Sequence, residues 1–307
     1  MKNESIPHAK VIVNPVAGAS STRRKWPRIS RLLKHIGLSF DYEYTEGVGH
    51  AIELAEAAVS DGYHYVVAVG GDGTVNEVAN GILHSTNSST MALGVISTGT
   101  GSDFVRSMGI PRHYIDACSS LVNLRRSVID VGVVEYQRKG QPARRFFVNV
   151  AGVGFDAAVV ENVECLPKFF GGTIPYLAGL VRTLVGYRNK SVTLRMGDRV
   201  ESSRILSVVV ANGCYVGGGM FIAPEASLSD KLLDVVIIGD VGKFELLRAM
   251  PMVYKGTHGK HPKVRMDKVA SITIESPERV LVYADGELLG EGPASFRLMP
   301  AALNVVV

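Results

Sequence analysis

The segment Tyr65-Val-Val-Ala-Val-Gly-Gly-Asp-Gly-Thr-Val-Asn-Glu-Val78 joins an apolar run to a helical pattern through Gly70-Gly71-Asp72-Gly73-Thr74. Glycines there let a ligand approach the backbone closely, and the helix that follows turns free N–H groups toward an anion. That combination is a phosphate cradle. Asp72 inside it would repel a bare phosphate, which points to a metal-bound nucleotide. The same residues would also make a tight turn with Thr74 as the helix N-cap. A second glycine turn, Ile96-Ser-Thr-Gly-Thr-Gly-Ser-Asp-Phe-Val-Arg106, repeats glycines, hydroxyls and an aspartate after the next strand-like run, and Asn14-Pro15-Val16-Ala17-Gly18 follows the first one. Thr45 and the Gly47-Val48-Gly49-His50 turn make a fourth wall, with His50 read as a helix-start residue rather than a catalyst. No GxxxxGK[ST] occurs and no GxGxxG follows a strand, which disfavours P-loop and dinucleotide-binding Rossmann domains; the HRD and DFG signatures of protein kinases are also absent.

These turns need a frame. Over the first 130 residues, strand-like runs (Lys10 to Val13, Phe40 to Tyr44, Tyr65 to Val69, Met91 to Ile96) alternate with helical patterns (Thr22 to His35, His50 to Ser60, and the face Val75, Val78, Ala79, Ile82, Leu83). That alternation predicts a layered α/β domain with a mostly parallel sheet, whose ligands gather at the carboxyl ends of the strands. Beyond Asp130, short β-type runs dominate: Arg145 to Ala151, Ser191 to Met196, Ile205 to Ala211, Leu233 to Ile238, Ala270 to Glu275, Arg279 to Ala284, Ala294 to Leu298 and Leu303 to Val307. An antiparallel β-rich sandwich or an open barrel follows from them, interrupted by a helix over Pro175 to Arg188. The expected domains are 5–130, 131–292 and a C-terminal piece, 293–307, that could return to the first domain. The site should lie in the cleft between the halves.

Composition bounds the class. The 307 residues are 46% hydrophobic and 20% charged, which fits a globular chain of about two domains and disfavours a disordered or fibrous one. No run is long enough for a transmembrane helix and no signal peptide is visible, so a cytoplasmic site is expected. Cys118, Cys165 and Cys214 lie far apart and support neither a disulfide framework nor a zinc site. The net charge of +4 is segmented: seven Lys/Arg and no acid between Ser5 and Phe40, 11 acids against 4 bases from Asp41 to Asp130, and seven bases against Glu245 and Asp267 from Lys243 to Lys268. Such blocks suit phosphate-bearing ligands or an anionic membrane surface, or else solvated helix faces.

Taken in order, the motifs resemble the diacylglycerol kinase catalytic domain family, and within it the bacterial soluble lipid kinases. The resemblance spans nearly the whole chain: Asn14-Pro15, Thr45 with Gly49-His50-Ala51, Gly70 to Val78, Gly99 to Phe104, Ile129-Asp130-Val131-Gly132, Asn149 to Phe155, Ala211-Asn212-Gly213, Gly217 to Met220, Pro224-Glu225-Ala226, Asp230 with Leu233-Asp234-Val235, and Asp285-Gly286-Glu287. It implies a three-layer α/β nucleotide domain of the NAD kinase/diacylglycerol kinase type and a β-sandwich lipid-substrate domain. ATP is the implied co-substrate and Mg2+ the cofactor. Asn14, Gly18, Thr45, Gly70, Gly71, Asp72, Gly73, Thr74, Asn76 and Thr100 would contact the nucleotide, while Asp72, Asp103 and Asp130 would organise magnesium. Asp285 and Glu287 would form an acid pair, one of them the general base toward the lipid hydroxyl, with Asp72 the third catalytic acid. A structural magnesium would sit on the loop of Ser227, Asp230 and Leu232. Phosphoryl transfer of this kind needs carboxylates and no nucleophilic Cys or Ser.

Two departures stand out. Ser102 precedes Asp103 where the family has an asparagine, and Lys231 follows Asp230 where it has a glycine. A lipid must be collected from a membrane, so transient peripheral contact is expected, through Phe169 to Tyr187 or through the basic stretch around Lys255, Lys260, Lys263 and Arg265. No nucleic-acid partner is expected, and a homodimer is left open. The alternatives are a NAD kinase, which shares GGDGT, and a nucleotide-binding regulatory protein without catalysis.

Overall fold

The computed structural model describes residues 8–85, 90–123, 125–164 and 173–307. The chain divides into two compact units, Met1–Val131 with Pro300–Val307, and Gly132–Met299. In the first, β1 (Ala9–Val13), β2 (Phe40–Tyr44), β3 (Tyr65–Gly70) and β4 (Ala92–Ser97) form a parallel sheet in the order β4-β3-β1-β2. β3 and β4 are buried from end to end, as central parallel strands covered on both faces must be, whereas the edge strand β2 exposes four of its five residues. Trp26, Ile29 and Leu33 of α1 (Ala17–His35) and Cys118 and Leu121 of α5 (Tyr114–Asn123) pack one face, against Val11, Val13, Val67 and Val69. The alternate side chains Ile12, Val66 and Ala68 are equally buried beneath α2 (His50–Ser60) and α3 (Asp72–His84), which pack on β1 and β3. Three layers result. α4 (Asp103–Met108) is a short helix directly after β4.

The second unit is antiparallel. β5 (Arg126–Arg138) pairs with β6 (Gln141–Phe147), and β7 (Val150–Gly154) is followed by α6 (Phe155–Glu164) and α7 (Thr173–Gly186). β8 (Lys190–Met196) and β9 (Arg199–Ile205) form a hairpin; β10 (Ser207–Ala211), the short β11 (Tyr215–Val216) and β12 (Met220–Phe221), β13 (Leu233–Ile238), α8 (Lys243–Tyr254), β14 (Val264–Val269), β15 (Ser271–Glu275), β16 (Leu281–Ala284) and β17 (Glu287–Val306) complete the chain. One layer runs β14-β13-β10-β7-β16-β17, and β15 joins β17 to β8. Val153, Val208, Val210 and Val235 of the first layer meet Val134, Leu194, Ile272 and Phe296 in the sandwich core. The outer face of that layer carries Val209, Val236 and Tyr283 with Ala157 of α6. Residues 304 and 305 of β17 lie parallel to Ala92 and Leu93 of β4 in the first unit.

One expected strand is cut in two. The run Arg145 to Ala151 reads as continuous, yet β6 ends at Phe147 and β7 begins at Val150. The N–H groups of Val148, Asn149 and Val150 all point at the carboxylate of Asp285, at 2.8, 3.0 and 2.8 Å, so Val148 and Asn149 leave the ladder.

Candidate active site

The three glycine turns close on one another at the carboxyl ends of β1, β3 and β4. Gly70 pairs in register with Ser97, so the loops after β3 and β4 start level. The Thr98 N–H donates to the Gly70 carbonyl at 2.8 Å and the Asn14 N–H to that of Val69 at 2.9 Å. Gly99 lies so near Gly71 that a Cβ on it would sit 2.6 Å from the Gly71 Cα. From the first loop, Asn14 Nδ2 donates to Thr74 Oγ1 at 2.9 Å, while Ser21 Oγ donates to the Thr98 carbonyl at 3.2 Å. Gly18, Ala19 and Ser20 adopt left-handed backbone angles, and regular helix in α1 begins only beyond them. This arrangement is a nest of backbone and hydroxyl groups, built from all three motifs.

The helix after β3 starts earlier than a Thr74 N-cap would place it. Gly71 is the N-cap, and the first helical bond runs from the Val75 N–H to the Gly71 carbonyl. The N–H groups of Asp72, Gly73 and Thr74 therefore stand outside the helical ladder at the positive end of a 13-residue helix. Asp72 Oδ1 accepts from the Phe104 N–H at 3.0 Å. Its Oδ2 borders a space beside Gly101: a Cβ there would meet Asp72 Oδ2 at 2.7 Å and Asp103 Oδ2 at 3.5 Å. Two carboxylate oxygens thus converge where only a hydrogen stands, a donor set that suits a hard divalent cation. Asp130, also buried, accepts from the Ala301 N–H at 2.7 Å. Thr45 is buried, Thr100 exposed, and the buried Asn76 accepts from Asn80 at 3.1 Å.

The Ser102 departure has a local answer. Ser102 sits in the left-handed region (φ 58°), a conformation asparagine tolerates better than serine. A 2.7 Å hydrogen bond between the Ser97 and Ser102 hydroxyls holds it there.

A further acid belongs to this region, Glu77. Its carboxylate accepts from the N–H groups of Gly49 and Ala51 at 3.0 and 3.2 Å, capping α2 from the neighbouring helix. The N-cap itself is Gly49 (φ 86°), which has no side chain to do so. The fourth wall is therefore fixed by α3, and the end of α2 is already occupied by an anion. Glu77 stands inside the quoted GGDGTVNEV stretch, but nothing in its spacing singles it out. His50 Nδ1 accepts from the Glu46 N–H at 2.9 Å, as a helix-start residue does.

In the second unit Asp285 and Gly286, both at positive φ, form the two-residue turn between β16 and β17. Asp285 gathers Val148 to Val150 as described, and its own N–H donates to the Val150 carbonyl at 2.8 Å. Asn212 Nδ2 donates to the Val148 carbonyl at 2.9 Å, so Asn149, Asn212 and Asp285 meet at one end of the sheet. Glu287 Oε2 accepts from Arg145 Nη2 at 2.7 Å, and its side chain is 40% exposed. Of the described thiols, burial pushes Cys118 up to about 12 and raises Cys214 as well, which makes neither a ready nucleophile.

A model of the diacylglycerol kinase catalytic domain matches residues 8–134, and a model of the YegS C-terminal NAD kinase beta sandwich-like domain matches residues 149–307, over half of the chain. The chain belongs to the diacylglycerol kinase family. A diacylglycerol kinase of Bacillus subtilis (strain 168) is 28% identical over 97% of this chain and 96% of its own length. One from Staphylococcus aureus (strain bovine RF122 / ET3-1) is 29% identical over 97% and 91%. Two crystal structures from Bacillus anthracis str. Sterne share the fold: one with a TM-score of 0.80 at 24% identity, covering 100% of this chain and 98% of that one, the other, a diacylglycerol kinase, with 0.73 at 20%, covering 99% and 98%. The resemblance, the fold class and the lipid-kinase reading drawn from the sequence are borne out, and the NAD kinase and inactive-regulator readings are not favoured.

Two expectations concern charged groups of the second unit that have partners within the chain. In the Ser227–Leu232 loop both carboxylate oxygens of Asp230 are engaged by the chain. Asp230 Oδ2 is held by Lys268 Nζ at 2.9 Å and Asp230 Oδ1 accepts from the Leu232 N–H at 3.1 Å. Among the described residues no group of three or more His, Cys, Asp or Glu could hold a metal. Burial raises the nearby Asp234 carboxyl, and Lys268 pulls it down only in part. In the basic stretch Lys263 pairs with Glu245 at 2.7 Å, and Arg265 with Asp267 at 2.7 Å and with Glu201. Phe169 and Phe170 of the other membrane expectation lie outside the described residues.

Proposed function

We propose that this protein transfers the γ-phosphate of ATP to the hydroxyl of diacylglycerol or a lipid of that class. The observation that carries the reading is the closure of three glycine turns around the space shared by Asp72 and Asp103. Asn14, Gly18, Thr45, Gly70 to Thr74, Asn76 and Thr100 form the nucleotide set. The unclaimed N–H groups at the start of α3 receive phosphate oxygens, and Asn14 orients the Thr74 hydroxyl toward them. Asp72, Asp103 and Asp130 would hold magnesium. Bound there, the ion would supply neutralisation of the β- and γ-phosphate charge, which this chemistry requires. Of the acid pair, Glu287 is the proton acceptor for the lipid hydroxyl: it is part exposed and engages Arg145 through one oxygen only. Asp285 is the positioning residue, since both of its oxygens gather backbone N–H groups.

Membrane contact falls to α8. Phe244, Leu247 and Tyr254 are 87%, 53% and 54% exposed, and Lys243, Arg248 and Lys255 are exposed beside them. At spacings of three, four and seven they line one outward stripe, apolar and basic together, as an interfacial helix requires. Lys243 also donates to the Val185 carbonyl at the end of α7. No helix among the described residues is long and apolar enough to cross a membrane. Combining Phe244→Asp with Arg248→Glu is expected to reduce sedimentation with phosphatidylglycerol vesicles about tenfold or more, at roughly 1 kcal/mol per cation plus the lost apolar insertion; unchanged sedimentation would remove α8 from the contact.

The deciding experiment incubates the full chain with labelled ATP, magnesium and vesicles containing diacylglycerol, alongside other hydroxyl lipids and NAD. Label is expected in the lipid, and Asp72→Asn should lower the rate by about 10²–10³ while the urea midpoint is kept. Label in NAD alone, or nucleotide binding with no labelled lipid, would overturn the reading.

A further inference from the structure

Asp234 and Lys268 are direct partners across the β13/β14 ladder, so the register of two strands fixes where this lysine can reach. Its ammonium lies among three oxygens: the Glu225 carbonyl at 2.8 Å, Asp230 Oδ2 at 2.9 Å and Asp234 Oδ2 at 3.4 Å. Asp230 closes the loop on itself through the Leu232 N–H. Both carboxylate oxygens of Asp230 are therefore engaged, one by a cation that belongs to the chain. Magnesium demands oxygens at about 2.0–2.1 Å in a near-octahedral shell, so at Asp230 it would have to compete with this ammonium for the carboxylate. Lys231, whose φ of 65° sits in the left-handed region, is exposed on the same loop.

We propose that Lys268 takes the place of the divalent cation implied at this loop: its ammonium fastens the Ser227–Leu232 segment to β13 and β14, and the loop is built without metal. Two of the ammonium's donors go to the Glu225 carbonyl, just ahead of the loop, and to Asp230 Oδ2, while Asp234 Oδ2 stands at ion-pair distance. The inference concerns the second unit alone and stands whichever lipid is phosphorylated.

The test needs neither nucleotide nor lipid. Thermal unfolding of the full chain is followed in EDTA and in 5 mM (about physiological excess) MgCl2, for the wild type, Asp230→Asn and Lys268→Met. The wild type and Asp230→Asn are expected to respond equally to Mg2+, because the loop takes none. Lys268→Met should lose about 2–4 °C in EDTA and regain part of it in Mg2+, once the oxygens are vacated. A Mg2+ response larger in the wild type than in Asp230→Asn would overturn the proposal, as would a Lys268→Met chain as stable in EDTA as the wild type. Should Lys268→Met fail to fold, the wild-type comparison decides by itself, and Lys268→Arg, which keeps the charge, is expected to fold without any loop-specific gain from Mg2+.

Discussion

In the first unit Asp72 and Asp103 aim two carboxylate oxygens at the same space beside Gly101. In the second, Asp285 and Asp230, from equally suggestive motifs, have both oxygens engaged by the chain, whereas Glu287 meets Arg145 through one, as Asp72 meets the Phe104 N–H through one. Carboxylates that gather backbone donors are fasteners. The difference teaches that an acidic motif marks where negative charge is placed, while the group that answers it decides whether the charge is for chemistry or for holding the fold.

The sharpest way to break this comparison lies within one turn, where Asp285 and Glu287 are two residues apart and are given opposite tasks. Glu287→Gln removes the proton acceptor and keeps the hydrogen bond from Arg145; kcat is expected to fall by about 10²–10⁴, with the free energy of unfolding within about 1 kcal/mol of the wild type. Asp285→Asn turns an N–H donor toward the N–H groups of Val148 to Val150, and should cost about 2–3 kcal/mol in urea unfolding. If Glu287→Gln kept its turnover, the turn would be a fastener throughout and the base would have to be sought elsewhere.

What the sequence makes legible follows the same division. The parallel sheet and its glycine turns are readable because their cause is local: apolar runs buried on both faces, ended by residues that only a turn or close approach explains. Convergence of the three turns follows from strand order, which alternation of strands and helices nearly dictates. The rest depends on partners distant in the chain. Arg145 to Ala151 looks like one strand because nothing nearby announces that Asp285 will claim its N–H groups. Lys268 reads as one more charge in a basic stretch until the β13/β14 register sets it opposite Asp234. The same stretch conceals α8, whose outward residues are apolar and whose inward ones are not uniformly so, a pattern that periodicity alone does not assign to a face.

A finer test asks whether an acid of the first unit can be a fastener beside the acids proposed to hold a cation. Glu77 shares α3 with Asp72, yet both its oxygens accept N–H groups at the start of α2. By the rule drawn here it should act on nucleotide binding only through the Thr45 to His50 wall. Glu77→Ala is expected to raise KM for ATP about fivefold, corresponding to about 1 kcal/mol of lost capping, with kcat at saturating ATP nearly unchanged. Glu77→Gln, which keeps one acceptor oxygen, should fall between Ala and the wild type. A cap that merely stabilises would lower the unfolding midpoint and leave KM where it was, and that result would detach the wall from the site; a fall in kcat at fixed KM would instead place Glu77 with Asp72 in the chemistry, and the distinction between the two kinds of acid would then fail inside a single helix.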